Sequence, residues 1–206
     1  MATTVGVHTA SKKPVRERGS KSPEVIFAPA HGTEAIATAG VCVALGVLLP
    51  YFIHPFGLSP RAILPMHFPV FLAGVLLSPV YAALVGIMAP AFSMGFTGMP
   101  TSSQVIRMMP ELAVYGGITS AMLRILPVWP GLSKRLGRMA ATVIAMLTAM
   151  IAGRLMYIIV SAAMVGLQDL RFYAMILIVP PIPGIIAQLI IIPPLAYKLQ
   201  RIMNKD

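Results

Sequence analysis

The run from Met139 to Val165, MAATVIAMLTAMIAGRLMYIIVSAAMV, carries one charged residue, Arg154. A helix rises about 1.5 Å per residue and the hydrocarbon core of a bilayer is about 30 Å thick, so this run is long enough to cross it. An arginine in the middle of such a run is costly unless it faces protein or a polar cavity. The rest of the chain has the same character. Of its 206 residues 57% are hydrophobic and 11% charged, less than half the roughly 25% charged share of a soluble domain. Mean hydropathy is +0.84. Between Glu34 and Glu111 the only charged side chains are Arg61 and Arg107, and between Met139 and Tyr197 only Arg154, Asp169 and Arg171. A net charge of +10 placed in tails and one loop does not describe a nucleic-acid groove. One cysteine excludes a disulfide framework and a cysteine-based zinc site.

Six apolar segments are expected to be helices: Thr33 to Ile53, Leu64 to Leu77, Val80 to Phe96, Met108 to Leu126, Met139 to Val165 and Tyr173 to Tyr197. The second and third are short and meet at Ser78-Pro79, and we read them as two helices rather than one broken span. Nineteen prolines, Pro90 and Pro110 among them, predict kinked helices whose freed backbone groups are covered by protein or a cavity. The fold class expected is an all-α integral membrane protein with six transmembrane helices. Residues 1–32 read as a disordered basic tail, residues 33–198 as the membrane domain, and residues 199–206 as a short basic tail.

Basic residues set the orientation. With the N-terminus inside, the cytoplasmic segments hold Lys12, Lys13, Arg16, Arg18, Lys21, Arg124, Lys134, Arg135, Arg138, Lys198, Arg201 and Lys205, against Arg61, Arg107 and Arg171 outside. Both termini are therefore expected in the cytoplasm. The basic tail then serves orientation and attraction to anionic lipid.

The sequence has no Walker A loop, no G-x-S-x-G elbow, no H-E-x-x-H and no dinucleotide fingerprint, and we expect no enzyme activity. His8, His31, His54 and His67 lack metal-site spacing, so no metal is expected, and the fifteen methionines read as flexible packing. Two ionisable groups at membrane depth stand out. Glu111 is expected at the start of the fourth helix, with Tyr115 one turn on along the same face. Arg154 sits mid-helix beside Tyr157. They either pair with each other to fix helix packing or hold a polar or anionic small molecule. The Gly- and Pro-rich loop His54 to Arg61, leading to Leu64 to Pro69, has the composition of a lid. His67, at the entry to the second helix, either hydrogen-bonds inside the cavity or sits at the membrane interface. Gln104, Arg107 and Gln188 are weaker candidates. The first helix carries small residues at helical spacing, Ala35 with Ala39 and Gly40 with Ala44, which permit close approach of another helix in lipid. Gly74 with Ser78, Gly116 with Ser120 and Gly117 with Ala121 show the same spacing, so part of this signal is internal packing.

Several stretches, in order over about residues 33–198, carry a resemblance. They are Leu64 to Gly74 (LPMHFPVFLAG), Ser78 to Gly86 (SPVYAALVG), Thr97 to Pro100 (TGMP), Glu111 to Gly116 (ELAVYG), Gly153-Arg154 and Pro183 to Leu189 (PGIIAQL). The set resembles the substrate-binding S component of energy-coupling factor (ECF) vitamin transporters, closest to the pantothenate-type subgroup. The resemblance implies a multi-pass subunit in the cytoplasmic membrane of a prokaryote that binds a vitamin or related micronutrient from outside. It implies docking on a transmembrane T subunit with two ATPase subunits, which consume the ATP, and no cofactor in this chain. Arg61, His67, Glu111, Tyr115, Arg154, Tyr157 and Gln188 become the expected substrate-binding residues, and Ala35, Ala39, Gly40 and Ala44 the expected T-subunit contact. A carboxylate ligand would suit Arg154 or Arg61. The long tail before Thr33 departs from that family's short N-terminus. The alternatives are a proton-coupled secondary carrier using Glu111, weakened by the absence of an internal repeat, and a ligand-free assembly or structural protein.

Overall fold

The computed structural model describes residues 30, 32–53, 64–126, 134–166 and 182–203, and the described residues form six helices with no strand. These are α1 (Gly32–Ile53), α2 (His67–Leu76), α3 (Pro79–Thr97), α4 (Ser102–Ile125), α5 (Lys134–Val165) and α6 (Ile182–Met203). Four of them, α1, α3, α5 and α6, are long and apolar enough to cross a membrane.

The exterior of the described residues is as apolar as the interior, and the largely apolar core also encloses polar side chains. Glu111, His67, Gln188, Thr119, Ser161 and Gln200 are buried, while Ile36, Val41, Val80, Phe96, Ile151, Ile159, Ile190 and Ile202 are exposed. Such an exterior is stable in hydrocarbon, and helices satisfy their own backbone groups there. The described residues are thus compatible with a multi-pass membrane protein.

Helix α2 is short and central. At 10 residues it spans about 15 Å, and it packs against α1, α3, α4 and α6. Its length is set by proline at both ends. Pro65 sits in the turn that closes with the His67 N–H donating to the Leu64 carbonyl at 3.0 Å. Pro79 then holds Ser78 extended (φ −67°, ψ 157°), separating α2 from α3.

Three glycines let α4 approach its neighbours to backbone contact. A Cβ on Gly86 of α3 would collide with the Leu112 carbonyl, and one on Gly116 of α4 with the Ala82 carbonyl. One on Gly74 of α2 would sit 2.8 Å from the Thr119 Cβ. The pairs 82 with 116 and 86 with 112 run in opposite directions, so α3 and α4 are antiparallel. Packing of this kind drives helix association in lipid, where burial of apolar surface supplies no net force.

The fourth helix starts earlier than the sequence suggests, at Ser102 rather than Met108. The Thr101 N–H donates to the Gln104 Oε1 at 3.3 Å, a capping arrangement that begins the helix, and Pro110 is absorbed inside it. Arg107 therefore lies within α4, not in a connection, and Glu111 falls in the helix interior instead of at its start. The segment 171–181, where the sixth helix was expected to begin, and the segment 54–63 lie outside the described residues.

Candidate functional site

Helices α4 and α5 run antiparallel and meet along a polar seam. From α4 come Arg107, Glu111 and Tyr115, one turn apart, and from α5 Tyr157, Arg154 and Gly153. The Arg107 guanidinium lies 5.9 Å from the Tyr157 ring centroid while its Nε donates to the Ser103 carbonyl at 2.9 Å. The Arg154 Nη1 lies 3.0 Å from the Glu111 Oε1, and the Tyr115 hydroxyl donates to that same oxygen at 2.8 Å. Two donors on one oxygen fix the carboxylate rotamer. Glu111 is 2% exposed and the Arg154 side chain 21%, so the pair is asymmetric: the carboxylate is enclosed and the guanidinium reaches the surface. A guanidinium has five N–H donors in a plane, which leaves Arg154 able to contact a second acceptor.

Tyr115 is the hinge of the site. Its ring stacks on Phe71 at 5.1 Å and tilts against His67 at 5.4 Å, bringing α2 to the seam. It also lies against Gly153, where any Cβ would collide with the ring. Gly153 thus decides that Tyr115 can reach Glu111 at all.

The fourth wall is α6. Gln188 is fully buried, and its Nε2 donates to the Leu64 carbonyl at 3.4 Å, the acceptor already used by the His67 N–H. Three buried polar atoms here have no hydrogen-bond partner among the described residues: both ring nitrogens of His67 and the Gln188 Oε1. An unmade hydrogen bond in a low-dielectric interior costs on the order of 1–3 kcal/mol per group, and Thr119 Oγ1, Ser161 Oγ and Gln200 Oε1 are likewise without a partner among the described residues.

Of the seven residues expected to bind substrate, His67, Glu111, Tyr115 and Arg154 form one connected set. Gln188 joins it through the Leu64 carbonyl, Tyr157 flanks it beside Arg107, and Arg61 lies outside the described residues with most of the expected lid. Gln104 serves as the α4 cap and does not reach the set. Phe71 and Gly153 belong to the site although neither is among the expected substrate-binding residues. Phe71 is one turn from His67 and Gly153 immediately precedes Arg154, which were the available signals. Among the described residues no group of three potential metal ligands occurs.

Of the small residues on α1, Ala35 is fully buried and Ala39 packs against the core, whereas Gly40 and Ala44 are exposed. A partner helix can reach the last two but not Ala35. A separate cleft of about 340 Å³ between α1, α2 and α6 is lined by Leu45, Leu49, Phe68, Leu72, Ile192 and other apolar residues and holds none of the polar set. No protein-family model, curated protein or solved structure matches the chain.

Proposed function

We propose that this chain is a six-span, multi-pass subunit of a prokaryotic cytoplasmic membrane, with both termini inside, that binds a small polar micronutrient. In this reading it is the S component of an ECF-type importer. It captures a vitamin-like ligand from outside and hands it over through a T subunit driven by two ATPase subunits, with no cofactor of its own. The observation that supports the binding role is the cluster of buried atoms, the His67 ring nitrogens and the Gln188 Oε1, that have no partner among the described residues and lie beside the Glu111, Tyr115 and Arg154 set. The importer role and the pantothenate-type cargo rest on the sequence resemblance alone.

The chemistry of the set refines what the ligand must offer. His67 and Gln188 call for a group that both donates and accepts, a hydroxyl or an amide. Arg154 is already paired, so a ligand carboxylate would share its guanidinium with Glu111 rather than meet a free cation. Pantothenate carries hydroxyls, an amide and a carboxylate and meets these requirements.

One second reading has an observation in its favour. The 3.0 Å contact of Arg154 with Glu111 is also what a ligand-free helix staple would look like. Reconstitution separates the readings. An S component binds its ligand without energy and transports only with ATPase partners present, whereas a secondary carrier takes up solute on a proton gradient alone. A structural protein does neither, and ligand-free behaviour in well-folded protein would overturn the proposal.

A further inference from the structure

The polar seam is not the only built polar feature. At the opposite end of the same helices, cations from three separated parts of the sequence converge. Leu123 of α4, Ala141 and Ala145 of α5 and Ala196 of α6 pack into one buried apolar cluster. Around that cluster stand Arg124 at the end of α4, Arg135 and Arg138 in the first turns of α5, and Lys198 and Arg201 in the last turns of α6. Arg124, Arg135, Lys198 and Arg201 are exposed. The Arg135 guanidinium sits 5.9 Å from the Tyr197 ring centroid, which ties the start of α5 to the end of α6 and holds the charge in place. Among the described residues the only carboxylate on α4, α5 or α6 is Glu111, about 20 Å further along α4. Among the described residues, then, α4, α5 and α6 place no carboxylate at this end.

We infer that the joined ends of α5 and α6 form a binding site for the phosphate of an anionic phospholipid headgroup, held by Arg135, Lys198 and Arg201 beside Tyr197. The partner follows from depth. Each of these cations lies within a turn or two of the end of a helix apolar enough to cross a bilayer, so in a membrane all of them stand at headgroup level, where phosphate is the prevailing anion. Orientation alone requires only that basic residues lie on the cytoplasmic side. It does not require the Arg135 guanidinium of α5 to rest on the Tyr197 ring of α6. The small Ala141, Ala145 and Ala196 pack together beneath the cations, which keeps the ends of α5 and α6 side by side. The inference rests on the membrane reading but not on the identity of the transported ligand.

The test is native mass spectrometry of the full chain in detergent doped with phosphatidylglycerol or phosphatidylcholine, where membrane sidedness plays no part. Each Lys or Arg near an anionic headgroup contributes about fivefold, so Arg135→Gln/Lys198→Gln/Arg201→Gln is expected to weaken phosphatidylglycerol binding roughly a hundredfold. The variant Lys12→Gln/Lys13→Gln/Arg16→Gln removes the same charge from the N-terminal tail and is expected to change it by less than about fivefold. Lys198→Gln alone, a single exposed change, should cost about fivefold in protein with an unaltered melting temperature. Equal retention of phosphatidylcholine, an equal loss in the tail variant, or undiminished binding in the triple variant would each overturn the inference.

Discussion

Removing Arg154 while leaving Glu111 in place is the perturbation that reads the polar seam most clearly. In Arg154→Met the carboxylate, 2% exposed, keeps only the Tyr115 hydroxyl at 2.8 Å among the described residues. Breaking a buried pair from one side costs about 3–5 kcal/mol, because a charge is left without compensation. The reverse change is milder. In Glu111→Gln the Tyr115 contact survives on the amide oxygen, and the Arg154 side chain, 21% exposed, is less enclosed than the carboxylate. We expect about 1–2 kcal/mol there, the scale of a lost charge-assisted hydrogen bond. The double variant Glu111→Gln/Arg154→Met has no orphaned charge and should fall within about 1 kcal/mol of wild type, giving a coupling of about 3 kcal/mol or more. Reversible unfolding of all four proteins in mixed micelles, followed by circular dichroism, measures this. If Arg154→Met costs under about 1 kcal/mol, or the two single costs simply add, the seam is not the enclosed pair described above.

His67→Phe keeps the ring against Tyr115 and deletes two unpartnered nitrogens, so it should leave melting unchanged or raise stability by about 1 kcal/mol while ligand affinity, by isothermal titration, falls at least about tenfold. Gly153→Ala drives a methyl into the Tyr115 ring and should cost about 1–3 kcal/mol, with a change in tyrosine near-ultraviolet dichroism as the hydroxyl leaves Glu111; unchanged dichroism would contradict that placement. Gly86→Ala meets the Leu112 backbone, which cannot rotate away, so it should be the more damaging of the two, read as loss of a single monomeric peak on size-exclusion in detergent.

The helices were legible because the bilayer demands long apolar runs, and Pro79 marked the break between α2 and α3. The position of Glu111 within α4 was misread for a local reason. The apolar run begins only at Met108, whereas Thr101-Ser102-Ser103-Gln104 already spells a cap seven residues earlier. Glu111 and Tyr115 were readable as neighbours from their spacing, and Arg154 from its isolation among apolar residues. That Arg154 bonds Glu111, rather than some other partner, depends on the register of α4 against α5, which the glycine contacts set and no short-range pattern encodes. The same holds for Gln188. Its reach to the Leu64 carbonyl joins residues far apart in the chain through the packing of α6 on α2. On α1, small-residue spacing gave the right residue types but not their direction, since Ala35 turns inward while Gly40 and Ala44 turn out.

The central claim is that the set around His67, Glu111, Tyr115, Arg154 and Gln188 holds a small molecule. It is tested most directly by mass spectrometry of the compounds released from protein purified in mild detergent, wild type beside His67→Phe and Gln188→Leu, two variants expected to fold. The account predicts one polar compound bearing hydroxyl or amide groups, near stoichiometric in wild type and depleted in both variants. The same compound retained undiminished in both variants, or no compound in a folded wild-type sample even after incubation with candidate vitamins, would contradict it.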